Sequence, residues 1–351
     1  MPKIQIGNRR IQKGMPAYII AEMSANHGGS KERAKEIIHR AKESGADCVK
    51  IQTYTADTIT MNCHNQYFQI KDGTWEGDNL YSLYQKAYTP WEWQKELKAE
   101  ADKIGIDFLS TPFDMSAVDF LEELEVNCYK IASFELIDLP LISYVASKQK
   151  PIIMSTGMGT LSEIEDAVNT ILAQGNNKIA LLKCASAYPA ISDEMNLATM
   201  ANMAKTFHVV TGLSDHSMGS VAAVTAVALG GSIIEKHFCL DRKIENPDAS
   251  FSMEPQEFAD MVRDVRAAEC AIGSVSYGAT AQEQKNLKFR KSIFVSKDVK
   301  KGECITEQNI RVIRPGYGML PKYYHTVLGQ RALVDMERGT PLRPEYIGQT
   351  K

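Results

Sequence analysis

Short apolar runs alternate along this chain with longer segments in which apolar residues recur at helical spacing. Apolar runs rich in β-branched residues predict buried strands, and the amphipathic segments between them predict helices. Segments 31–45 and 161–175 are examples of the helical pattern. Eight strands are predicted after Pro16, at 18–24, 48–53, 107–113, 128–133, 151–157, 179–186, 209–215 and 232–238.

Eight strand-helix units over roughly 250 residues match the count and length of a TIM (β/α)8 barrel, an α/β fold. A doubly wound sheet is the alternative, and it often has a glycine-rich phosphate loop after its first strand. Here the first strand runs through Glu22 with no GxGxxG motif after it. We therefore predict that residues 16–272 form a barrel that carries the catalytic site.

The pattern differs on both sides of the predicted barrel. Residues 1–15 contain a Gly7-Asn8 turn between two alternating runs, which predicts a hairpin. Residues 273–290 are polar and predict a linker. Short β runs with Gly and Pro between them then predict a small β-rich domain over 291–351. A core that small is marginal, so we expect this domain to dock on another surface.

One connection, residues 54–93, is too long for a simple loop and holds all three tryptophans of the chain. Long loops after barrel strands lie at the catalytic face and often shape specificity. An extra helix that packs its aromatic side chains on the barrel explains the same composition. Both interpretations remain open.

Composition narrows the possible functions. The net charge of −3 gives no electrostatic case for binding nucleic acid or an anionic membrane. No apolar run approaches the roughly 20 residues of a membrane helix, and the charged first residues predict no signal peptide. The seven cysteines form no CxxC pair. These features predict a reduced cytoplasmic protein.

Two histidines come at the ends of neighbouring predicted strands. His216 follows the seventh strand and His237 lies in the eighth. Parallel strands joined by a crossover helix present their carboxyl ends side by side, so the two imidazoles are candidates to share a divalent metal such as Mn²⁺, Co²⁺, Zn²⁺ or Fe²⁺. Barrel closure brings the first strand beside the eighth, which predicts Glu22 close by as a general acid or base.

Lysines recur inside the predicted strands, where a buried ammonium group needs an anion. Lys50, Lys130 and Lys183 come from the second, fourth and sixth strands. Alternate strands of a barrel share a layer of side chains, so these lysines predict a polyanionic ligand that carries phosphate. Hydroxyl donors to the same ligand are predicted at Ser133, Ser155 and Ser214.

Seven short motifs occur in order along the predicted barrel. They are AEMSANHGG (21–29), VKIQT (49–53), STPFD (110–114), YKIAS (129–133), STGM (155–158), GLSDH (212–216) and EKHF (235–238). Together they resemble the sialic acid synthase family, which condenses phosphoenolpyruvate with an amino-sugar aldehyde. The tail, with IRPGYG, resembles the antifreeze-like (SAF, β-clip) domain of that family, and the resemblance covers nearly the whole chain.

Within the family, the long aromatic loop, LLKCASAYP and IRPGYG look most like the branch that makes pseudaminic acid. The implied reaction joins phosphoenolpyruvate, 2,4-diacetamido-2,4,6-trideoxy-L-altrose and water, and releases phosphate by C–O cleavage. The legionaminate and N-acetylneuraminate branches are alternatives, although the latter looks to carry Asn where this chain has Ser186. A divalent-metal aldolase that uses free pyruvate, or a binding protein with an inert barrel, fits the lysines and the Glu22-histidine set less well.

The resemblance also implies roles for individual residues. It implies that His216 and His237 hold the metal, with Mn²⁺ expected and Mg²⁺ or Co²⁺ as alternatives, and that Glu22 is the catalytic carboxylate. The resemblance implies a domain-swapped homodimer without nucleic-acid or membrane partners. It also implies that the product is a cell-surface sugar such as that on flagellin. Phosphoenolpyruvate binding is implied for Lys50, Thr111, Lys130, Ser133, Ser155, Ser186 and Ser214, and sugar binding for Gln52, Glu135, Tyr188, Asp248 and the partner-donated Arg314.

Overall fold

The computed structural model describes residues 1–348. The chain divides into two compact units, Met1–Gly273 and a second that begins at Ser274. The last three residues of the predicted C-terminal domain, 291–351, lie outside the described residues.

The first unit opens with an antiparallel hairpin of β1 (Lys3–Ile6) and β2 (Arg9–Gln12). Gly7 adopts a positive φ of 51° at its turn, a conformation that costs glycine little. The hairpin isoleucines are buried in one cluster with the barrel's interior apolar residues. They therefore cover the end of the barrel where the strands begin, opposite the end where the strands finish.

Eight parallel strands then form a closed barrel, which confirms the predicted fold class. The order runs through neighbouring strands in sequence, and the last strand pairs with the first. Each strand lies within the segment predicted for it. The strands are β3 (Tyr18–Glu22), β4 (Cys48–Thr53), β5 (Asp107–Pro112), β6 (Tyr129–Ile131), β7 (Ile152–Ser155), β8 (Ile179–Cys184), β9 (Val210–Asp215) and β10 (Ile233–His237).

Most of the helices pack around the barrel because they bury apolar side chains in one cluster with its strands. Ser30 caps the first helix, and Thr160 with Glu163 forms a capping box at the start of another. None of the helices in the described part of the chain is long and apolar enough to span a membrane. The helices are α1 (Lys31–Glu43), α2 (Ala56–Ile59), α3 (Leu80–Ala87), α4 (Trp91–Ile104), α5 (Met115–Glu123), α6 (Leu139–Ser147), α7 (Leu161–Ala173), α8 (Ala198–Phe207), α9 (Val221–Ala228) and α10 (Pro255–Ile272).

Several strands end one or two residues before the polar residues that the sequence singles out. His216 follows β9 directly, and Ser133 and Ser186 each lie two residues beyond a strand. The backbone leaves the ladder there, so these side chains are carried by the loops at the carboxyl ends of the strands. That is the face where barrel enzymes build their active sites.

The second unit is small and β-rich, with an apolar core of its own that includes Ile293, Val295 and Ile305. A 3-10 helix, Glu283–Phe289, occupies part of the segment predicted as a linker. The remaining elements are the antiparallel pair β11 (Ser292–Val295) and β12 (Ile310–Ile313), the short helix α11 (Tyr324–Val327), and the pair β13 (Arg331–Ala332) and β14 (Ile347–Gly348).

Candidate active site

The two histidines come together at the ends of β9 and β10. The ring centroids of His216 and His237 lie 5.4 Å apart. Nδ1 of His216 lies 2.9 Å from the carbonyl oxygen of Ala185, so Nδ1 donates and Nε2 is left with its lone pair. Nδ1 of His237 is buried without a hydrogen-bond partner. Each ring therefore has a nitrogen free to act as a ligand.

This pair fits a divalent metal. Burial, reinforced by the positive charge of nearby lysines such as Lys50, lowers the pKa of His237 well below its usual value, which keeps its imidazole neutral as a ligand must be. The Ala185 carbonyl orients His216 in the way that outer-shell acceptors orient metal-bound histidines. Within residues 1–348 no group of three or more His, Cys, Asp or Glu side chains is spaced to hold a metal. This site offers a metal two nitrogen ligands from the protein, with oxygens from water or substrate as the remaining ligands.

Glu22 lies beside the histidines because β3 pairs with β10, where His237 and Glu22 are register partners. Its carboxylate is buried, 2.7 Å from Nζ of Lys50, and accepts a hydrogen bond of 3.0 Å from Nε2 of Gln52. Burial raises the pKa of Glu22 to about 7, although Lys50 opposes the shift. A carboxyl group with that pKa both gives and accepts protons at neutral pH.

Glu235 is a buried carboxylate to which the sequence analysis gave no role. Its Oε1 lies 3.6 Å from Nζ of Lys50 and 3.8 Å from Nζ of Lys130, and accepts a 3.2 Å hydrogen bond from Ser214. Burial alone raises the pKa of Glu235, but Lys130 and Lys50 outweigh it and hold the pKa below the usual range. Glu235 precedes His237 by two residues on one strand, and this spacing was the signal that both face the same side.

Two of the three predicted lysines converge. Lys130 donates 2.7 Å to the hydroxyl of Ser155, and Lys50 lies 3.4 Å from that of Thr111. Burial lowers the pKa of Lys130. Lys183 is only partly buried, and it donates to the backbone carbonyl of Cys184, the next residue along the chain, at 3.0 Å. The buried positive charge that an anion would meet is therefore that of Lys50 and Lys130.

A small polar cradle lies beside Lys130. The backbone N–H of Gly157 donates 3.1 Å to Oγ of Ser133. A Cβ atom at Gly157 would overlap the hydroxyls of Ser133 and Ser186, so only glycine leaves both hydroxyls in place. These groups are suited to hydrogen bonds with the oxygens of a compact anion.

The residues predicted to bind the sugar surround the histidines in part. The ring of Tyr188 lies 4.3 Å from that of His216. Asp248 is buried, which raises its pKa, and accepts a 3.1 Å hydrogen bond from the backbone N–H of Ala25. Burial raises the pKa of Glu135 to about 7, and its Oε2 has no hydrogen-bond partner. Arg314 is exposed in the second unit.

Comparison with known proteins assigns this architecture to a family. The NeuB family model matches residues 37–277, and the SAF domain model matches residues 290–347. A pseudaminic acid synthase from Helicobacter pylori is 44% identical over 95% of this chain and 98% of its own length. An N,N'-diacetyllegionaminic acid synthase from Campylobacter jejuni is 40% identical over 90% of this chain and 95% of its own.

A solved structure agrees with these sequence matches. The crystal structure of N-acetylneuraminic acid synthetase from Leptospira borgpetersenii superposes with a TM-score of 0.72 at 30% identity. It covers 81% of this chain and 95% of its own. The chain therefore belongs to the NeuB family and carries a C-terminal SAF domain.

Proposed function

We propose that this protein is a pseudaminic acid synthase. It condenses phosphoenolpyruvate with 2,4-diacetamido-2,4,6-trideoxy-L-altrose and water, and it releases pseudaminic acid and phosphate. The observation that carries the proposal is the buried convergence of Lys50 and Lys130 beside Glu22 and the two histidines. The nearly full-length similarity to the Helicobacter pylori pseudaminic acid synthase supports the choice of product.

Phosphoenolpyruvate is a polyanion. It compensates the positive charge of the two buried lysines more fully than protein carboxylates do alone. Lys50 and Lys130 already share Glu235, so an arriving anion adds negative charge where two ammonium groups are buried. Further donors to its oxygens are Thr111, Ser133, Ser155, Ser186 and Ser214.

We further propose that His216 and His237 hold a divalent metal, Mn²⁺ first and Mg²⁺ or Co²⁺ as alternatives. When bound, the metal supplies Lewis-acid polarisation of the sugar's open-chain aldehyde. The orphaned Nδ1 of His237 and the oriented ring of His216 support this assignment.

Glu22 is the group proposed to handle protons during the reaction. A bond forms between C3 of phosphoenolpyruvate and the aldehyde carbon, which leaves positive charge at C2. The Glu22 carboxylate positions the water that adds at C2, takes its proton and passes that proton to the oxygen of the former aldehyde. The C2–O bond to phosphate then breaks, the C2 hydroxyl gives its proton to the leaving phosphate, and a ketone remains at C2. Gln52, which donates to Glu22, fixes the carboxylate for this role.

A legionaminate synthase is the second candidate. The Campylobacter jejuni N,N'-diacetyllegionaminic acid synthase is also closely related to this chain. The two reactions differ only in the stereochemistry of the sugar, so the phosphoenolpyruvate site is the same for both. The sugar-side residues Gln52, Glu135, Tyr188 and Asp248 are where the discrimination is expected.

We also propose a domain-swapped homodimer in the cytoplasm, with Arg314 of one subunit completing the site of the other. The free state of all seven cysteines supports a reducing compartment. Mixing an Arg314→Ala variant with a Glu22→Gln variant tests the swap. Each is expected to be inactive alone, and mixed dimers are expected to regain part of the activity, because one of their sites contains neither substitution.

Release of inorganic phosphate tests the main proposal. The purified protein is given phosphoenolpyruvate and Mn²⁺, with the altrose sugar, the legionaminate precursor or N-acetylmannosamine in separate reactions. Phosphate with the altrose sugar at the highest kcat/KM is the expected result. A higher kcat/KM with either other sugar keeps the family and moves the substrate, and phosphate release in none of them refutes the synthase assignment.

A further inference from the structure

The long loop after β4 is tied to two other loops at the active-site face. Oγ1 of Thr74 donates a 2.6 Å hydrogen bond to the carbonyl oxygen of Tyr188, which follows β8. Nε1 of Trp75 donates a 2.9 Å hydrogen bond to the carbonyl oxygen of Pro247, which follows β10. These two consecutive residues therefore join three loops at the active-site face.

The ring of Trp75 extends an aromatic group that ends at the histidines. Trp75 lies 5.6 Å from Tyr188 and 6.5 Å from Phe251, measured between ring centroids, and Tyr188 lies 5.1 Å from Phe251. Tyr188 in turn packs on His216 at 4.3 Å, and Phe251 lies 5.0 Å from His237. We call Tyr188 and Phe251, the two rings between Trp75 and the histidines, the aromatic wall.

We propose that Trp75 is a positioning residue that determines sugar specificity by holding the aromatic wall against the two histidines. The inference rests on the proposed function. The altrose substrate carries a methyl carbon at C6 and two acetamido methyl groups, all apolar. Aromatic rings gain by covering apolar groups of this kind, whereas a hydroxylated sugar such as N-acetylmannosamine keeps its C6 hydroxyl in water.

The other tryptophans of the same region have different surroundings. Nε1 of Trp91 donates 3.0 Å to the carbonyl oxygen of Tyr54, and its ring packs 4.8 Å from Phe120. Trp93 packs edge-on against His27 at 5.7 Å. Only Trp75 among the three contacts the aromatic wall, so Trp91 serves as a matched control: it too is a tryptophan with a backbone acceptor and an aromatic neighbour.

Steady-state kinetics of Trp75→Ala, Trp75→Phe and Trp91→Ala test the proposal. In Trp75→Ala we expect the KM for the altrose sugar to rise about 10- to 100-fold, a range typical of lost apolar contacts in a pocket. The KM for phosphoenolpyruvate is expected to stay within about 2-fold, because its lysines lie elsewhere. Trp75→Phe is expected to recover part of the loss, and Trp91→Ala is expected to leave the sugar KM unchanged.

Discrimination between sugars is the second measurement. The ratio of kcat/KM for the altrose sugar to that for N-acetylmannosamine is expected to fall about 10-fold or more in Trp75→Ala. Thr74→Val removes only the hydrogen bond to the Tyr188 carbonyl and is expected to raise the KM for the altrose sugar several-fold. This variant tests the inference if Trp75→Ala does not fold.

The outcomes separate this inference from the function on which it rests. An inactive wild-type protein with the altrose sugar overturns the proposed function and the inference with it. An active wild type whose Trp75→Ala variant keeps its sugar KM and its discrimination overturns the inference alone. If Trp75→Ala raises the KM for phosphoenolpyruvate as much as the KM for the altrose sugar, the effect is structural and the inference is overturned. A rise of the sugar KM in Trp91→Ala equal to that in Trp75→Ala overturns the inference in the same way.

Discussion

Asp215 and Lys236 form a buried ion pair between the strands that carry the two histidines. They are register partners of β9 and β10, and Nζ of Lys236 lies 2.7 Å from Oδ2 of Asp215. Lys236 also donates to the carbonyl oxygens of Ser217 and Gly219, and Asp215 accepts from the backbone N–H of Ser217. The pair therefore fixes the loop that follows His216.

Removing the lysine of this pair is expected to be strongly destabilising. Lys236→Met leaves the Asp215 carboxylate buried without its counter-ion, which costs about 3–5 kcal/mol of the free energy of unfolding. Adding Asp215→Asn removes that charge and keeps an oxygen for the Ser217 N–H, so the double variant is expected to regain part of the loss. Urea unfolding measures both.

A partly exposed ion pair provides the control for that experiment. Lys98 and Asp102 are 2.7 Å apart on the surface of α4. Lys98→Met is expected to change the free energy of unfolding by less than about 1 kcal/mol, as for other solvated pairs. If Lys236→Met costs no more than Lys98→Met, the buried pair does not stabilise the histidine loop.

Glu22→Gln is expected to stop turnover and leave phosphoenolpyruvate binding nearly intact. The amide still accepts from Gln52, and Lys50 retains Glu235 as an anionic neighbour, so the binding lysine stays in place. The variant loses the proton acceptor, which is expected to lower kcat about 100-fold or more. Single-turnover phosphate release and calorimetric titration with phosphoenolpyruvate measure the two effects. A variant with full kcat would refute the catalytic role of Glu22.

Glu235→Gln is expected to make the protein depend on anions for stability. The substitution removes the carboxylate that Lys50 and Lys130 share, and two buried ammonium groups then have less compensating charge. Phosphoenolpyruvate is expected to raise the Tm of this variant more than that of the wild type. Glu122→Gln, at the outer Lys150 pair, is the control, and a similar shift in all three proteins contradicts the prediction.

The barrel could be predicted from the sequence because strand and helix periods alternate eight times, with residues 54–93 as the one long connection. The proximity of Glu22, His216 and His237 could be predicted because barrel topology dictates which strand ends meet. The role of Glu235 was missed because a carboxylate shared by two lysines is defined by side-chain reach, which strand position alone does not give. Lys183 was expected to join Lys50 and Lys130, but it is only partly buried, and the depth of a side chain in the barrel is a property that periodicity does not give.

Removing the metal is expected to abolish turnover without unfolding the protein. His237 lies on β10 and His216 directly follows β9, and these two strands are already paired in the barrel, so the fold does not depend on the ion. Dialysis against a chelator is expected to stop phosphate release, and Mn²⁺ is expected to restore it. Bound Mn²⁺ is expected to broaden the nuclear magnetic resonance signals of nearby residues in the wild type. This broadening is expected to be lost in His237→Ala. Full activity of the metal-free protein contradicts the assignment.

His27 is expected to make stability fall as the pH drops below neutrality. The ring is buried, its Nε2 has no hydrogen-bond partner, and burial with the nearby Arg33 charge lowers its pKa from 6.5 to about 4. Between those values the unfolded chain binds a proton that the folded chain does not, so the contribution of neutral His27 is complete above about pH 6.5 and declines toward pH 4.

The size of this effect follows from the shift in pKa. Both proteins are expected to lose free energy of unfolding when the pH drops from 7.5 to 5. The loss is expected to be about 2 kcal/mol larger in the wild type than in His27→Gln, because each unit of pKa shift corresponds to about 1.36 kcal/mol. Other groups titrate in the same range, so the quantity to compare is the difference between variant and wild type in urea unfolding at the two pH values. His64→Gln, at an exposed histidine, is expected to follow the wild type. If His27→Gln shows the same pH dependence as His64→Gln, the buried ring does not remain neutral in the folded protein.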